Sequence, residues 1–210
     1  QFLSVKGLGN YKRLGTTIDD AVGEAFDKTA KLLGIEFPGG PQIEIYAEKG
    51  DPDKYELPKP IFSKGGCNLS FAGLKTAVLK ISKQIRTDQE KYDLAASFQK
   101  TIEKILYKKS KIAFEEFKKT SSMKKNKFVV AGGVAANKKI RRVLERLCNE
   151  ENFEATFPPI NLCGDNAAMI AMVGLEKFKL SQFNALDHPA KPRWSLDEDA
   201  IFLKGAGVKL

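Results

Sequence analysis

The strongest constraint on the fold is a buried strand that runs directly into two glycines and then into a helix. Residues 128–131, FVVA, have the apolar character of such a strand, and Gly132 and Gly133 follow at once. A second strand over 153–157 and a second helix over 164–179 repeat this order. The first of the two helices has apolar residues at i, i+3, i+4 and i+7, namely Ile140, Val143, Leu144 and Leu147. Alternating strands and helices predict an α/β layer with some parallel pairing.

The first forty residues predict a strand region and one amphipathic helix. Residues 1–15 indicate a strand with a glycine-marked turn. Thr17 then opens a helix, with Asp20 three positions later in the capping-box arrangement, and Gly34 ends it. Residues 37–41, FPGGP, predict a rigid turn that belongs to no regular element.

The middle of the chain is less regular. Residues 41–90 predict a short helix, a proline-containing loop and a further helix from Ser70. A long amphipathic helix is expected over 93–119, followed by a polar connection at 121–126. From about residue 181 the chain is expected to form an irregular tail.

Charge and composition limit the classes of function. The net charge of +9 favours a polyanionic partner such as tRNA or a nucleotide, although solvated lysines explain the same charge equally well. The three scattered cysteines never stand in a CxxC spacing, which favours the reducing cytoplasm over a zinc or disulfide framework. His188, the single histidine, lies in a proline-bounded tail, which disfavours triad hydrolases and zinc proteases. No apolar run approaches the ~18 residues of a membrane span.

The glycine turn after the first strand is a candidate ligand site. Gly132 and Gly133 let the backbone approach a ligand closely, and the helix start that follows directs N–H groups at a phosphate or ribose oxygen. Asn137 stands in the opening turn, where it can hydrogen-bond the ligand. A tight strand-to-helix turn with an exposed asparagine explains the pattern equally well.

Asp165 opens the second helix, and as a helix N-cap it needs no ligand at all. If the two strands are neighbours, however, both helix starts face one crevice at the strand ends, where open α/β sheets bind ligands. A carboxylate at that place can hold a metal ion.

Two further groups of charged residues each allow two interpretations. Asp20, Glu24 and Asp27 fall in one row of the first helix and repel one another unless hydroxyls, cations or solvent meet them. Asp27 is also placed to grip a ribose together with the 37–40 turn. Lys75 and the rows over 100–111 and 138–142 are either phosphate contacts or solvated helix faces.

Taken together and in order, several segments resemble the signature segments of the TsaD family of tRNA adenosine threonylcarbamoyltransferases. The resemblance covers nearly the whole chain. Its segments are IDDAVGEAFDKTAKLLG at 18–34, PGGP at 38–41, LSFAGLKT at 69–76, AGGVAAN at 131–137, GDNAAMIA at 164–171 and PRW at 192–194.

The resemblance implies an actin-like, Hsp70-like ATPase fold of the ribonuclease H-like type, in which two lobes close on a nucleotide. Residues 1–15 are then a remnant of the first lobe. Residues 16–210 are the second lobe, with a helical insertion at about 41–90. The implied reaction transfers a threonylcarbamoyl group from its adenylate to the adenosine beside the anticodon of tRNAs that read A-starting codons.

The resemblance also implies a set of site residues. The equivalents of Asp27, Gly40 and Asn137 contact the nucleotide or acyl-adenylate, and Glu44 matches a further contact of the archaeal-type branch. The equivalent of Asp165 is a metal ligand. The implied ligands are threonylcarbamoyl-adenylate or ATP and one divalent metal, iron or zinc. The implied partners are tRNA and TsaB-like and TsaE-like proteins in the cytoplasm, with no membrane.

The sequence departs from the family at its beginning. The family's His-x-x-x-His metal pair and its Ser-Gly-Gly-His-Thr phosphate loop belong upstream of Gln1, and this sequence has neither. We therefore expect an incomplete chain that binds nucleotide weakly, does not hold the metal and does not catalyse by itself. The alternative is a non-catalytic truncated paralogue or scaffold that keeps the fold and contacts partner proteins.

Overall fold

A computed structural model describes residues 1–121, 126–190 and 194–200. Two short 3₁₀ turns, Gly133–Ala136 and Ile160–Leu162, precede the last two helices. The strands and helices in chain order are β1 (Phe2–Gly7), β2 (Asn10–Gly15), α1 (Val22–Leu32), α2 (Gly39–Ala47), α3 (Ala72–Ser82), α4 (Asp88–Lys118), β3 (Asn126–Val129), α5 (Lys138–Glu151), β4 (Phe153–Thr156) and α6 (Ala167–Lys179). Residues 122–125 of the predicted polar connection, and Pro192 and Arg193 of the tail motif, lie outside the described residues.

Two small sheets organise the strands into a mixed α/β structure. β1 and β2 form an antiparallel hairpin, and β3 pairs in parallel with β4 from Asn126 opposite Phe153 to Val129 opposite Thr156. The amide of Val130 extends this pairing by donating to the Thr156 carbonyl at 3.0 Å. The parallel pairing predicted from the alternating pattern is therefore confirmed.

The main core forms where α1, α2, α3 and α5 pack around α4. α4 is 31 residues long, and its buried Leu94, Phe98, Ile102 and Ile105 follow a helical stripe. The ring of Phe98 meets Phe26 of α1 edge to face, with centroids 5.1 Å apart. In the part of the chain that the structure describes, no helix has both the length and the apolar content that a membrane crossing requires.

The start of α1 differs from the sequence prediction. The helix begins at Val22 after Ala21, and no side chain caps it. The Thr17 hydroxyl donates to the Asp20 carbonyl at 2.6 Å, and the Asp20 carboxylate pairs with Lys75 of α3. The predicted capping box is wrong, because Thr17 lies five residues before the helix, in a β-bridge with Leu69. Gly34, with φ of 71°, follows the end of the helix as predicted.

The predicted rigid turn at 37–41 is wrong in its second half, because α2 begins at Gly39. Pro41 is tolerated in the first turn because the N–H groups there have no partner within the helix. The Asp27 carboxylate accepts the hydrogen bond of the Gly39 N–H at 2.9 Å. A tertiary contact thus supplies the cap that the glycines and prolines lack.

Two other helices also begin at residues that differ from the predicted ones. α4 begins at Asp88, five residues before the predicted start, with Thr87 and Glu90 forming a reciprocal capping box. α6 begins at Ala167 with Asn166 as its N-cap, and the Asn166 side chain accepts the hydrogen bond of the Met169 N–H at 3.0 Å. The interpretation of Asp165 as the N-cap is therefore wrong.

Candidate functional site

The carboxyl ends of β3 and β4 bring the two predicted ligand segments to one edge. The strands are parallel neighbours, so the glycine turn after β3 and the segment after β4 leave the sheet on the same side. The condition that the sequence analysis set for a shared crevice is met.

Asp27 and the start of α2 form the first contact of the site. The Gly39 amide donates to the Asp27 carboxylate, and a Cβ on Gly39 would lie 2.7 Å from the Asp27 Cα. Only glycine allows this close approach. A Cβ on Gly40, by contrast, would meet nothing within 4 Å, so the backbone there is open to a ligand. The need for Gly39 is visible only in the structure.

Glu44 joins α2 to the start of α5. Its carboxylate accepts the hydrogen bond of the Lys138 N–H at 2.7 Å. A carboxylate at this place is stabilised by the unpaired N–H groups of the helix start. Glu44 therefore lies beside Asn137, although 93 positions separate them in the sequence.

Asn137 is the N-cap of α5 and is 7% exposed. Its side-chain oxygen accepts from the Ile140 amide at 3.0 Å, and its side-chain nitrogen donates to Gln99 Oε1 of α4 at 2.9 Å. The alternative of an exposed asparagine is wrong. Direct contact of Asn137 with a ligand stays a prediction, because its side chain here anchors the helix start.

Gln99 links this cap to a partly buried carboxyl group. Burial raises the pKa of the Glu103 carboxyl, against the lowering effects of the Lys139 charge and a hydrogen bond with Gln99. Sequence reasoning missed Gln99 because it lies among the apolar residues of a long helix.

The glycine turn between β3 and α5 is open. Gly132 has φ of 92°, a conformation that favours glycine, and a Cβ on Gly132 or Gly133 would meet nothing within 4 Å. The turn lies against α1, where a Cβ on Gly23 would be 3.8 Å from a methyl of Val134. The backbone at the two glycines is therefore accessible, as a phosphate or ribose contact requires.

A cleft of about 380 Å³ borders the Asp27 side of this site. Asp27 and Gly39 line it together with Lys28, Lys31 and the exposed ring of Phe37. Glu24 and Glu36 also line the cleft, and Lys28 pairs with Glu24, so acidic and basic groups are mixed around the aromatic ring.

Each of the three carboxylates in the predicted row has its own hydrogen-bond or ion-pair partner. Asp20 pairs with Lys75, Glu24 pairs with Lys28, and Asp27 accepts from a backbone amide. The repulsion expected within the row is thus compensated by partners. Asp27 is the member of the row that faces the α2 start.

Several of the predicted phosphate contacts are engaged within the chain. Lys75 pairs with Asp20, Lys100 with Asp53 at 2.5 Å, and Lys111 with Glu151 at 2.8 Å. These ion pairs favour the interpretation of Lys75 and of the row over 100–111 as helix-face residues, and they leave the row over 138–142 undecided. Contact with tRNA stays a prediction.

Asp165 stands in an exposed segment, two residues after the buried Cys163. Among residues 1–121, 126–190 and 194–200, no three His, Cys, Asp or Glu side chains form a group suited to a metal ion. The donors that the structure describes around Asp165 therefore do not fit a complete metal site.

Comparison with known proteins identifies the family of the chain. A sequence model of the family TsaD, tRNA N6-adenosine threonylcarbamoyltransferase, matches residues 1–172. A protein of that name from Pelagibacter ubique (strain HTCC1062) is 87% identical over the whole chain. Proteins of the same name from Rickettsia rickettsii (strain Sheila Smith) and Rickettsia bellii (strain OSU 85-389) are each 50% identical over 94% of the chain. The chain spans 58–59% of the length of these relatives. From the match over residues 1–172 we conclude that the chain belongs to the TsaD family.

Proposed function

We propose that this chain carries the adenylate-binding part of an enzyme that transfers threonylcarbamoyl from its adenylate to a tRNA adenosine. One observation carries the proposal. A hydrogen-bonded series runs from Asp27 to Gly39, along α2 to Glu44, and from Glu44 to the start of α5 beside Asn137. This series gathers separate family segments around one place, and the open glycine turn lies next to it.

The roles in binding follow from the groups present. The carboxylates of Asp27 and Glu44 are acceptors for ribose hydroxyls, and the open backbone at Gly40, Gly132 and Gly133 suits close approach of phosphate oxygens. These residues hold the adenylate so that its carbamoyl carbon is presented to the tRNA.

In the proposed transfer, the exocyclic amine of the adenosine bonds to the carbamoyl carbon. The bond from that carbon to the AMP phosphate oxygen breaks, AMP leaves, and the amine loses a proton. The chain's contribution is positioning and electrostatic stabilisation of the leaving adenylate.

The proposal extends to the whole architecture. It includes an actin-like fold with residues 1–15 in a first lobe and 16–210 in a second, tRNA as substrate, and TsaB-like and TsaE-like partners. The parallel pair of β3 and β4, with ligand segments at its carboxyl edge, supports the fold. A cytoplasmic location is part of the proposal, and the free, buried thiols of Cys67, Cys148 and Cys163 support it.

A divalent metal, iron or zinc, belongs to the proposal only for the complete protein. Asp165 is the one residue here proposed as a ligand, and a stable site needs several donors.

Binding of ATP, measured by calorimetry, tests the proposal. We expect weak binding by the chain, and an affinity loss of about tenfold for Asp27→Asn and for Glu44→Gln, because each loses a charged acceptor worth about 1.4 kcal/mol or more. Asp88→Asn, a change at an exposed carboxylate on α4, is the matched control and should bind as the unaltered chain does. An unaltered chain that binds no ATP contradicts the proposal, as do Asp27 and Glu44 variants with unchanged affinity.

The alternative, a non-catalytic scaffold, draws support from one observation. α6 exposes apolar side chains along its length, including Ile170 and Phe178 at 67% each. A chain that binds a TsaB-like protein but not ATP would favour the scaffold.

A further inference from the structure

Arg141, one turn inside α5, connects the two segments that leave the carboxyl ends of β3 and β4. Its Nε donates to the carbonyl of Ala135 in the turn after β3. Its Nη2 donates to the Pro158 carbonyl at 2.7 Å and to Cys163 Sγ at 3.2 Å, both in the segment after β4. One guanidinium therefore holds three acceptors on two separate segments.

The surroundings of the guanidinium favour a fixed geometry. The group lies over the ring of Phe157, with Cζ 5.0 Å from the centroid. Pro158 and Pro159 have no N–H groups, so strand pairing cannot continue beyond Phe157. The Pro158 carbonyl takes its hydrogen bond from Arg141 instead.

Arginine is the side chain that suits these contacts. Its planar fork presents donors in fixed directions, whereas the single ammonium of lysine is a point charge. Charge alone would not hold Ala135, Pro158 and Cys163 at once.

We propose that Arg141 is a positioning residue that sets Asp165 against the glycine turn and Asn137. Cys163 lies two residues before Asp165, and Ala135 lies two residues before Asn137. The inference rests on the proposed function, because that function places the glycine turn at the adenylate and Asp165 at the metal of the complete protein. Arg141 acts through these neighbours and is not itself a ligand contact.

The test compares Arg141→Met and Arg141→Lys with Arg146→Met, a control at an exposed arginine of α5 that lies outside the row over 138–142. Amide hydrogen exchange is followed at Leu162 and Cys163, whose N–H groups donate to Pro159 and Ile160. We expect both Arg141 variants to exchange about tenfold faster there, since each loses the anchoring hydrogen bonds. The core amides of α5 should change less than about twofold, because the helix keeps its packing.

Affinity for ATP is measured on the same proteins. Both Arg141 variants should bind ATP about tenfold more weakly, and Arg146→Met should bind as the unaltered chain does. Lysine should not rescue, because the fork geometry and not the charge is required. Rescue by lysine, unchanged exchange at Leu162 and Cys163, or equal acceleration throughout α5 would each overturn the inference.

The test still decides the proposal if Arg141→Met does not fold or if the unaltered chain binds no ATP. Cys163→Ala removes one acceptor and leaves Arg141 in place, so it replaces Arg141→Met if that variant does not fold, with a smaller acceleration expected at Leu162. If the unaltered chain binds no ATP, the proposed function fails, while the exchange data still decide whether Arg141 holds the two segments.

Discussion

α5 and α6 occupy equivalent places in the chain and have opposite environments. Each follows one strand of the same parallel pair after a short 3₁₀ turn, and each is capped by an asparagine, Asn137 or Asn166. α5 buries Ile140, Leu144, Leu147 and Cys148, whereas α6 buries no residue.

The difference comes from tertiary partners and not from local signals. α5 packs along α4, and Leu147 and Cys148 join a cluster in which the rings of Phe114 and Phe153 stack 3.9 Å apart. The first nine residues of α6, AAMIAMVGL, carry no charge, and a helix that is apolar all round is usually buried. In the described part of the chain, nothing buries it. Capping and periodicity thus determine that a helix forms, and only packing determines what it contributes to stability.

The largest expected contrast lies in the apolar side chains. Leu147→Ala in α5 should lower the free energy of unfolding by about 3 kcal/mol, because it leaves a cavity beside Phe114. Leu175→Ala in α6 should change it by less than about 0.5 kcal/mol, since the side chain is 49% exposed. Urea denaturation measures both, and equal losses would contradict the comparison.

The next largest difference in unfolding free energy is expected between the two asparagine caps. Asn137→Ala should cost about 2 kcal/mol, because it removes the cap and deprives the buried Gln99 Oε1 of the hydrogen bond that Asn137 donates. Asn166→Ala loses an exposed cap alone and should cost about 0.5–1 kcal/mol. The same denaturation experiment ranks them, with Gln99→Ala as a check on the buried bond. If Asn166→Ala proves the costlier change, burial is not what distinguishes the caps.

The pH dependence of Cys148 sharpens the contrast on the α5 side. Burial, with a smaller contribution from Glu145, raises the pKa of Cys148 from 9.0 to about 11. Above pH 9 the unfolded state therefore loses this proton while the native state keeps it, so stability falls as pH rises from 9 towards 11.

We expect this group to account for a loss of roughly 1 kcal/mol at pH 10. Comparing the slope of stability against pH for the unaltered chain and Cys148→Ala isolates the contribution, because all other titrating groups are shared. Identical slopes would show that burial does not keep the Cys148 thiol protonated above pH 9.

The smallest effect on stability is expected at the surface of α6. Ile170→Lys should change the free energy of unfolding by less than about 0.5 kcal/mol, because the side chain is 67% exposed. We also expect the unaltered chain to self-associate through the exposed apolar side chains of α6, and Ile170→Lys to reduce that association, which light scattering detects. A marked loss of stability would mean that α6 packs against the rest of the chain.

Much of the element order was predictable because it depends on neighbours in sequence. The apolar run at 128–131 and the periodicity from Ile140 to Leu147 predicted a strand and a helix, and the structure has both, with the strand at Asn126–Val129. The capping box of Thr87 and Glu90 was present in the sequence and was overlooked. The start of α1 was missed for another reason: Thr17 forms a β-bridge with Leu69, which is far away in the sequence.

The candidate site also contains residues that the sequence indicated and residues whose roles only the structure shows. Resemblance to the family selected Asp27, Gly40, Glu44 and Asn137, and hydrogen bonds and chain adjacency link these positions. The observed roles of Gly39, Gln99 and Arg141 were not predicted, because they rest on contacts across 12, 38 and up to 22 positions of sequence; Arg141 was considered only as a phosphate contact. Such contacts leave no local pattern.

The sequence by itself therefore determined most of the helices and strands, the presence of some parallel pairing and the family, since these are encoded in short-range pattern and motif. The tertiary structure alone decided which helices are buried, that Asn137 is held by Gln99, and that Arg141 joins the two strand ends. Burial and hydrogen-bond partners depend on which distant side chains share a space, and the one-dimensional pattern does not contain that information.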